Sequence, residues 1–147
     1  MQIRNVTRET IVCTEATLAQ GFLARLRGLM GRRAMPPGSG LLLVPEYSIH
    51  TFGMRFSIDV FYLDDDCRVL RLQEAMPPNR IGPIVRGCKA ILETPVGTIR
   101  QSRTQIGDLL ALESRFGDEL PAQIAVEGHS RSLSELPLTK PETREYP

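Results

Sequence analysis

The stretch SIHTFGMRFSIDVFYL, Ser48 to Leu63, constrains this chain more than any other. It ends in an almost unbroken apolar run, stops at three aspartates, Asp64 to Asp66, and is followed by RVLRLQE, Arg68 to Glu74. An apolar strand, an acidic turn and a returning strand together predict a β-hairpin. A single straight strand from His50 to Leu63 would be long for so small a domain. A break is therefore expected between its ends, with Gly53 able to supply a bend or bulge and Ser57 able to open a turn. Without that break, alternation would point His50 and Asp59 to opposite faces, with their ends about 30 Å apart.

The rest of the chain repeats the theme of short strands and turns. Thr10–Cys13, Leu41–Pro45, Cys88–Thr94 and Leu109–Leu112 read as further strands. AMPPNRIGPIVRG, Ala75 to Gly87, is rich in Pro and Gly and reads as a long loop or irregular edge. GTIRQSR, Gly97 to Arg103, is long enough for one or two helical turns. One longer helix is expected from about Glu15 to Arg27, because Leu18, Phe22, Leu26 and Leu29 recur at helical spacing. Thr14 would cap it, and Gly28 or Gly31 would end it. About six short strands without regular crossover helices predict a mostly β fold with minor α. The expected form is a compact antiparallel barrel or sandwich plus one N-terminal helix.

At 147 residues the chain is expected to be one globular domain over 1–136. Residues 137–147, PLTKPETREYP, read as an extended or disordered tail dispensable for folding. The net charge is +1, with a tail from Glu113 that is mildly acidic and a remainder near +4. Phosphate backbones are bound by clustered cationic excess, so nucleic acid is not an expected partner. No apolar run approaches a membrane span, and the polar start MQIRNVTRET lacks a secretory core, so no membrane partner and a cytoplasmic location are expected. Cys13, Cys67 and Cys88 lack the spacing of a zinc knuckle or redox pair and are expected to be reduced thiols. No cofactor motif is visible. Asp64–Asp66 lacks the alternating ligands of a calcium loop, so neither a cofactor nor a metal is expected.

Polar residues among apolar neighbours are the candidates for chemistry. Asp59 lies between Ile58 and Val60, and Glu93 between Leu92 and Thr94. A buried carboxylate needs hydrogen bonds or a cation, and Arg25 and Arg55 are its natural partners. His50 has the range of a ligand contact, a metal ligand or a general base. Thr51 and Met54 lie beside it, and Met30 and Met54 would serve a core or line an adaptable ligand cleft.

The blocks RLRGLMGR (Arg25–Arg32), GLLLVP (Gly40–Pro45), IHTFGMRFSIDVFYLDDDCRVL (Ile49–Leu70), AILETPVGT (Ala90–Thr98) and IGDLLAL (Ile106–Leu112) occur together and in order. In this the chain resembles the prokaryotic proteins grouped as domain of unknown function family 192, over roughly residues 13–112. The resemblance implies a compact β-rich fold with a short helix near its start, and no activity. Many such proteins carry an export leader, which is not visible here. Its motif positions include Arg25, Gly28, Met30, His50, Thr51, Met54, Asp59, Glu93, Gly97 and Asp108.

Three functions are compatible with these residues. The first is a small binding domain that holds a small polar ligand or a protein segment in a cleft near His50 and Asp59. Its lining would draw on Thr51, Met54, Glu93 and Arg25. The second is a hydrolase using His50 with Asp59 or Glu93 as acid–base groups. The third is an assembly partner that uses a sheet edge or the C-terminal arm. Binding leads, because a hydrolase needs a positioned nucleophile or metal and convergent donors, which the sequence leaves scattered.

Overall fold

The computed structural model describes residues 1–20 and 29–114. Its strands are β1 (Gln2–Asn5), β2 (Thr10–Cys13), β3 (Glu15–Gln20), β4 (Ser39–Val44), β5 (Ile58–Leu63), β6 (Val69–Met76), β7 (Ala90–Pro95) and β8 (Leu110–Glu113). One short helix, α1 (Thr98–Gln101), follows β7. The strands form two sheets, ordered β2-β1-β8 and β3-β4-β7-β5-β6. Both orders are open, so the described residues form no closed barrel.

The predicted hairpin is present as β5 and β6. Its turn is held by Asp64, whose Oδ1 accepts from the Asp66 and Arg68 N–H groups at 3.0 and 2.8 Å. The aspartates thus supply turn chemistry. The pairing slips between Ile58 and Val60: Ile58 faces Met76 but Val60 faces Gln73, so β6 carries an extra residue. Ala75 sits in this bulge with a left-handed φ of 48°.

Burial on both faces of the larger sheet explains its apolar sequences. One face packs against the smaller sheet, where Phe61, Leu63, Leu92 and Leu42 meet Ile3, Val12, Leu110 and Leu112. The other face carries Val60, Tyr62, Ile91, Leu41 and Leu43. Ile49, Met54, Leu29 and Cys88 from the connecting segments pack onto it. Every residue of β5 is buried, as expected of a central strand between two layers.

The N-terminal helix expectation needs correction. Glu15–Gln20 is strand, paired in parallel with β4 from Glu15↔Ser39 to Gln20↔Val44. Ala16 joins the core between the sheets and Ala19 the opposite cluster, while Leu18 is exposed. An unpaired edge of β4 offered six residues of ladder, and that non-local pairing outweighed a weak helical pattern. Phe22, Leu26, Arg25 and Gly28 lie outside the described residues. So do the expected domain boundary near 136 and the 137–147 tail. Leu29 is buried as expected. The strand count also rises from six to eight, because β1 is short and carries no strong alternation, and β3 falls within the expected helix. The pairing is otherwise antiparallel, as the turn-rich sequence predicts.

All three cysteines are buried, and none forms a disulfide. Burial pushes the thiols of Cys13 and Cys67 up to about 11 and raises that of Cys88. Thiols held protonated and out of water react slowly. A thiol reagent at pH 8 should modify none of them rapidly in the native protein and all three after denaturation, with or without reductant. Two extra thiols appearing on reduction would refute the assignment.

Candidate functional site

Asp59 and Glu93 sit on adjacent strands but face opposite ways. The register pairs Asp59 with Thr94 and Val60 with Glu93. Directly opposed residues of an antiparallel pair share a face, and successive ones alternate. Asp59 therefore points toward the smaller sheet, with Phe61 and Leu92. Glu93 points the other way, with Val60 and Leu41, its neighbours on β5 and β4.

Asp59 is fully committed to holding backbone. Its Oδ1 accepts from the N–H of Ala75 in the β6 bulge at 2.9 Å. Its Oδ2 accepts from the N–H groups of Gly97 and Ile99, both at 3.0 Å. α1 has no cap from its own sequence, and Gly97 at its start takes φ 97°. Asp59 thus caps this helix from a neighbouring strand while satisfying a bulge. It supplies the acceptor that both irregularities need. Arg55 is exposed and makes no ion pair with either carboxylate. Among the described residues, backbone N–H groups meet the hydrogen-bonding demand of Asp59; Arg25, the other expected partner, lies outside them.

The expected break in the opening stretch falls at Thr51–Gly53. Gly53 takes φ 75°, with its Cα side turned to Met30, so that a β-carbon would lie 3.3 Å from the Met30 methyl. Thr51 is buried and ties this loop to the segment after β6. Its hydroxyl donates to the Pro77 carbonyl at 2.7 Å and accepts from the Arg80 N–H at 2.9 Å. His50 is exposed, forms an isolated antiparallel bridge with Ile81, and stacks against Phe52 at 5.3 Å. Met54 is buried on the face that carries Glu93. His50→Ala should therefore cost under about 1 kcal/mol in urea denaturation, as surface substitutions usually do. A larger loss would place the ring in the core.

Glu93 is the exception to the polar bookkeeping. It is 4% exposed, and among the described residues its Oε2 has no hydrogen-bond partner. Burial pushes its carboxyl up to about 8, and the negative charge of Glu46 adds to the effect. Buried polar atoms are nearly always satisfied, so an orphan carboxylate oxygen requires a reason. Ile49, Met54, Phe56 and Val85 from the loops pack in the same cluster as its neighbours Leu41 and Val60. Those loops, with the turn after Leu29, also expose Met30, Tyr47, Phe52, Ile81 and Ile84.

The structure thus brings Met54 and Glu93 to one face, with Thr51 and His50 in the covering loop, and separates Asp59 from them. Tyr62 was not singled out from sequence. It is fully buried two residues along from Val60 on the Glu93 face, and its hydroxyl is pushed up to about 12 by burial. Gly82 approaches that hydroxyl so closely that a β-carbon would lie 2.7 Å from it. Tyr62 alternates with Phe61 in an apolar run, so its sequence gave no sign of a polar role. Asp108 anchors a separate network. It accepts from the Asn5 amide, from the Arg8 Nε–H through both oxygens, and from the Gln105 N–H. Burial alone would raise its carboxyl, but these hydrogen bonds outweigh it and hold it below the usual value.

A two-sheet β domain with these blocks in this order defines a family. The family described as "Uncharacterized ACR, COG1430", domain of unknown function family 192, matches residues 3–112. The chain belongs to that family. It is 36% identical over 108 residues to a UPF0127 protein of Thermococcus sibiricus, covering 71% of this chain and 70% of that one. A UPF0127 protein of Thermococcus kodakarensis is 36% identical over 129 residues, covering 80% and 82%. A crystal structure of a protein of unknown function from Novosphingobium aromaticivorans shares the fold, with a TM-score of 0.64 at 17% identity over 74% of this chain and 81% of that one.

Proposed function

We propose that this protein is a small, sandwich-like binding domain that receives the cationic head of a small polar ligand, or of a protein segment, at Glu93. The observation that carries the reading is the buried Oε2, which has no partner among the described residues. A ligand ammonium or guanidinium would supply the missing donor, and pairing in a dry site strengthens it. The methionines and exposed aromatic residues of the covering loops offer an adaptable apolar surface for the rest of the ligand. The hydrolase alternative asks His50, Asp59 and Glu93 to work together. Asp59 faces the other side of the sheet and is occupied by three N–H groups, which weighs against it.

Among the described residues no helix is long and apolar enough to cross a membrane. A cytoplasmic location remains our proposal.

The test is a thermal-shift and calorimetric screen with n-hexylammonium, benzylammonium and benzamidinium at pH 6 and pH 8. Binding should tighten with pH, because a cation favours the ionised carboxyl and must displace a proton below about 8. Glu93→Gln should abolish the pH dependence. Absence of binding throughout, or binding unaffected by Glu93→Gln, would refute the assignment.

A further inference from the structure

A concavity lies beside α1 and the turn that follows it. It encloses about 540 Å³, within the range of small-molecule sites. Its walls come from the β1–β2 turn, the bulged end of β6 and the turn after α1. They contribute Thr7, Arg8, Glu74, Arg100, Arg103 and Gln105. Three cations thus face one exposed carboxylate.

What those groups have left to offer decides the ligand. Arg100 uses its Nε on Glu74 at 2.6 Å, which leaves its two terminal amino groups uncommitted by that bond. Arg8 is largely committed, its Nε to Asp108 and its Nη2 to the Gln105 side-chain carbonyl. That second bond fixes the Gln105 amide with its NH2 still available to donate. The Thr7 hydroxyl accepts from the Leu109 N–H at 2.9 Å and keeps its own proton to give. Arg103 makes no ion pair among the described residues. The remaining capacity is therefore almost wholly donor: two guanidinium groups, an amide and a hydroxyl.

Arg103 is also held in an unusual backbone conformation. It follows α1 with φ 54°, where glycine or asparagine normally stands. The Thr104 N–H closes the turn onto the Ile99 carbonyl at 3.2 Å. Beneath it, Asn5, Ser102 and Thr104 form a buried hydrogen-bonded floor. Residues held in sparsely populated backbone conformations cluster at functional sites.

We infer that this groove binds a small phosphate-bearing anion, with Arg103 and Arg100 gripping its terminal oxygens and Gln105 and Thr7 completing the donor set. Planar guanidinium forks match phosphate oxygens in pairs, and two of them with two further donors exceed what a single carboxylate can accept. The site is independent of Glu93 and does not rest on the function proposed there.

The experiment titrates the full chain with inorganic pyrophosphate, and separately with citrate, by calorimetry at fixed ionic strength. Saturable one-to-one pyrophosphate binding is expected, at least about tenfold tighter than citrate. Arg103→Ala and Arg100→Ala should each weaken it by about tenfold or more, while Arg33→Ala, an exposed control, should not. Arg103→Gly removes the β-carbon from the left-handed position, so it should raise the thermal midpoint while losing binding. The inference is overturned by no saturation up to about 10 mM, by citrate binding as tightly, or by Arg103→Ala leaving affinity unchanged. It is equally overturned if Arg103→Gly lowers the midpoint, or if an oligonucleotide binds more tightly than pyrophosphate.

Discussion

Asp59→Asn should destabilise the protein by about 3 kcal/mol. The native carboxylate accepts three backbone N–H bonds from two irregular segments. Asparagine has one acceptor oxygen, and its NH2 must face donors that it cannot satisfy. The loss combines charge-assisted hydrogen bonds with at least one buried N–H left unpaired, each worth on the order of 1–3 kcal/mol. Urea denaturation at pH 7 measures it, with exposed Asp65→Asn as a control that should leave the midpoint unchanged. Amide exchange provides a second reading: the N–H groups of Ala75, Gly97 and Ile99 should lose protection together. A cost under about 0.5 kcal/mol would mean that Asp59 does not hold the bulge and the helix.

Glu93 should make the protein less stable as pH rises. Its folded carboxyl is raised from 4.5 to about 8, first by burial and then by the charge of Glu46. A carboxyl raised on folding binds its proton more tightly in the native state. Its favourable contribution is thus complete below about pH 4.5 and is lost progressively as pH climbs through about 8. The loss attributable to this group is roughly 5 kcal/mol over that window, at about 1.4 kcal/mol for each unit of difference. Glu93→Gln removes the titration. The variant should match the native protein near pH 5 and exceed it by several kcal/mol at pH 8.5. Parallel stability curves for the two proteins would show that Glu93 has a partner or is hydrated. A stabilising substitution at a buried polar residue is what a site held at a cost to stability predicts.

The candidate site was only half legible. Two carboxylates among apolar neighbours were conspicuous at Asp59 and Glu93, and both are buried. Their neighbours in sequence are so alike that nothing separated the satisfied one from the orphan. That distinction depends on the N–H groups of Gly97 and Ile99, about forty positions away along the chain. The pairing register then put the two on opposite faces. The groove beside α1 left less trace still, because Arg8, Arg100 and Arg103 are scattered in a chain of net charge +1.

The sequence by itself determined the mostly β class, the β5–β6 hairpin with its aspartate turn, the need for a break between His50 and Asp59, and cysteines outside disulfides. Each follows from local chemistry: an apolar run, turn-forming residues, a glycine where φ is positive, a lack of paired cysteine spacing. Only the tertiary structure decided that Glu15–Gln20 is a strand, that Asp59 caps a helix it does not belong to, and that Glu93 Oε2 has no partner among the described residues. These depend on which distant backbone edge or N–H group arrives beside the residue. A ladder with β4 outweighs local helical spacing, and a buried oxygen is satisfied only by what the fold brings to it.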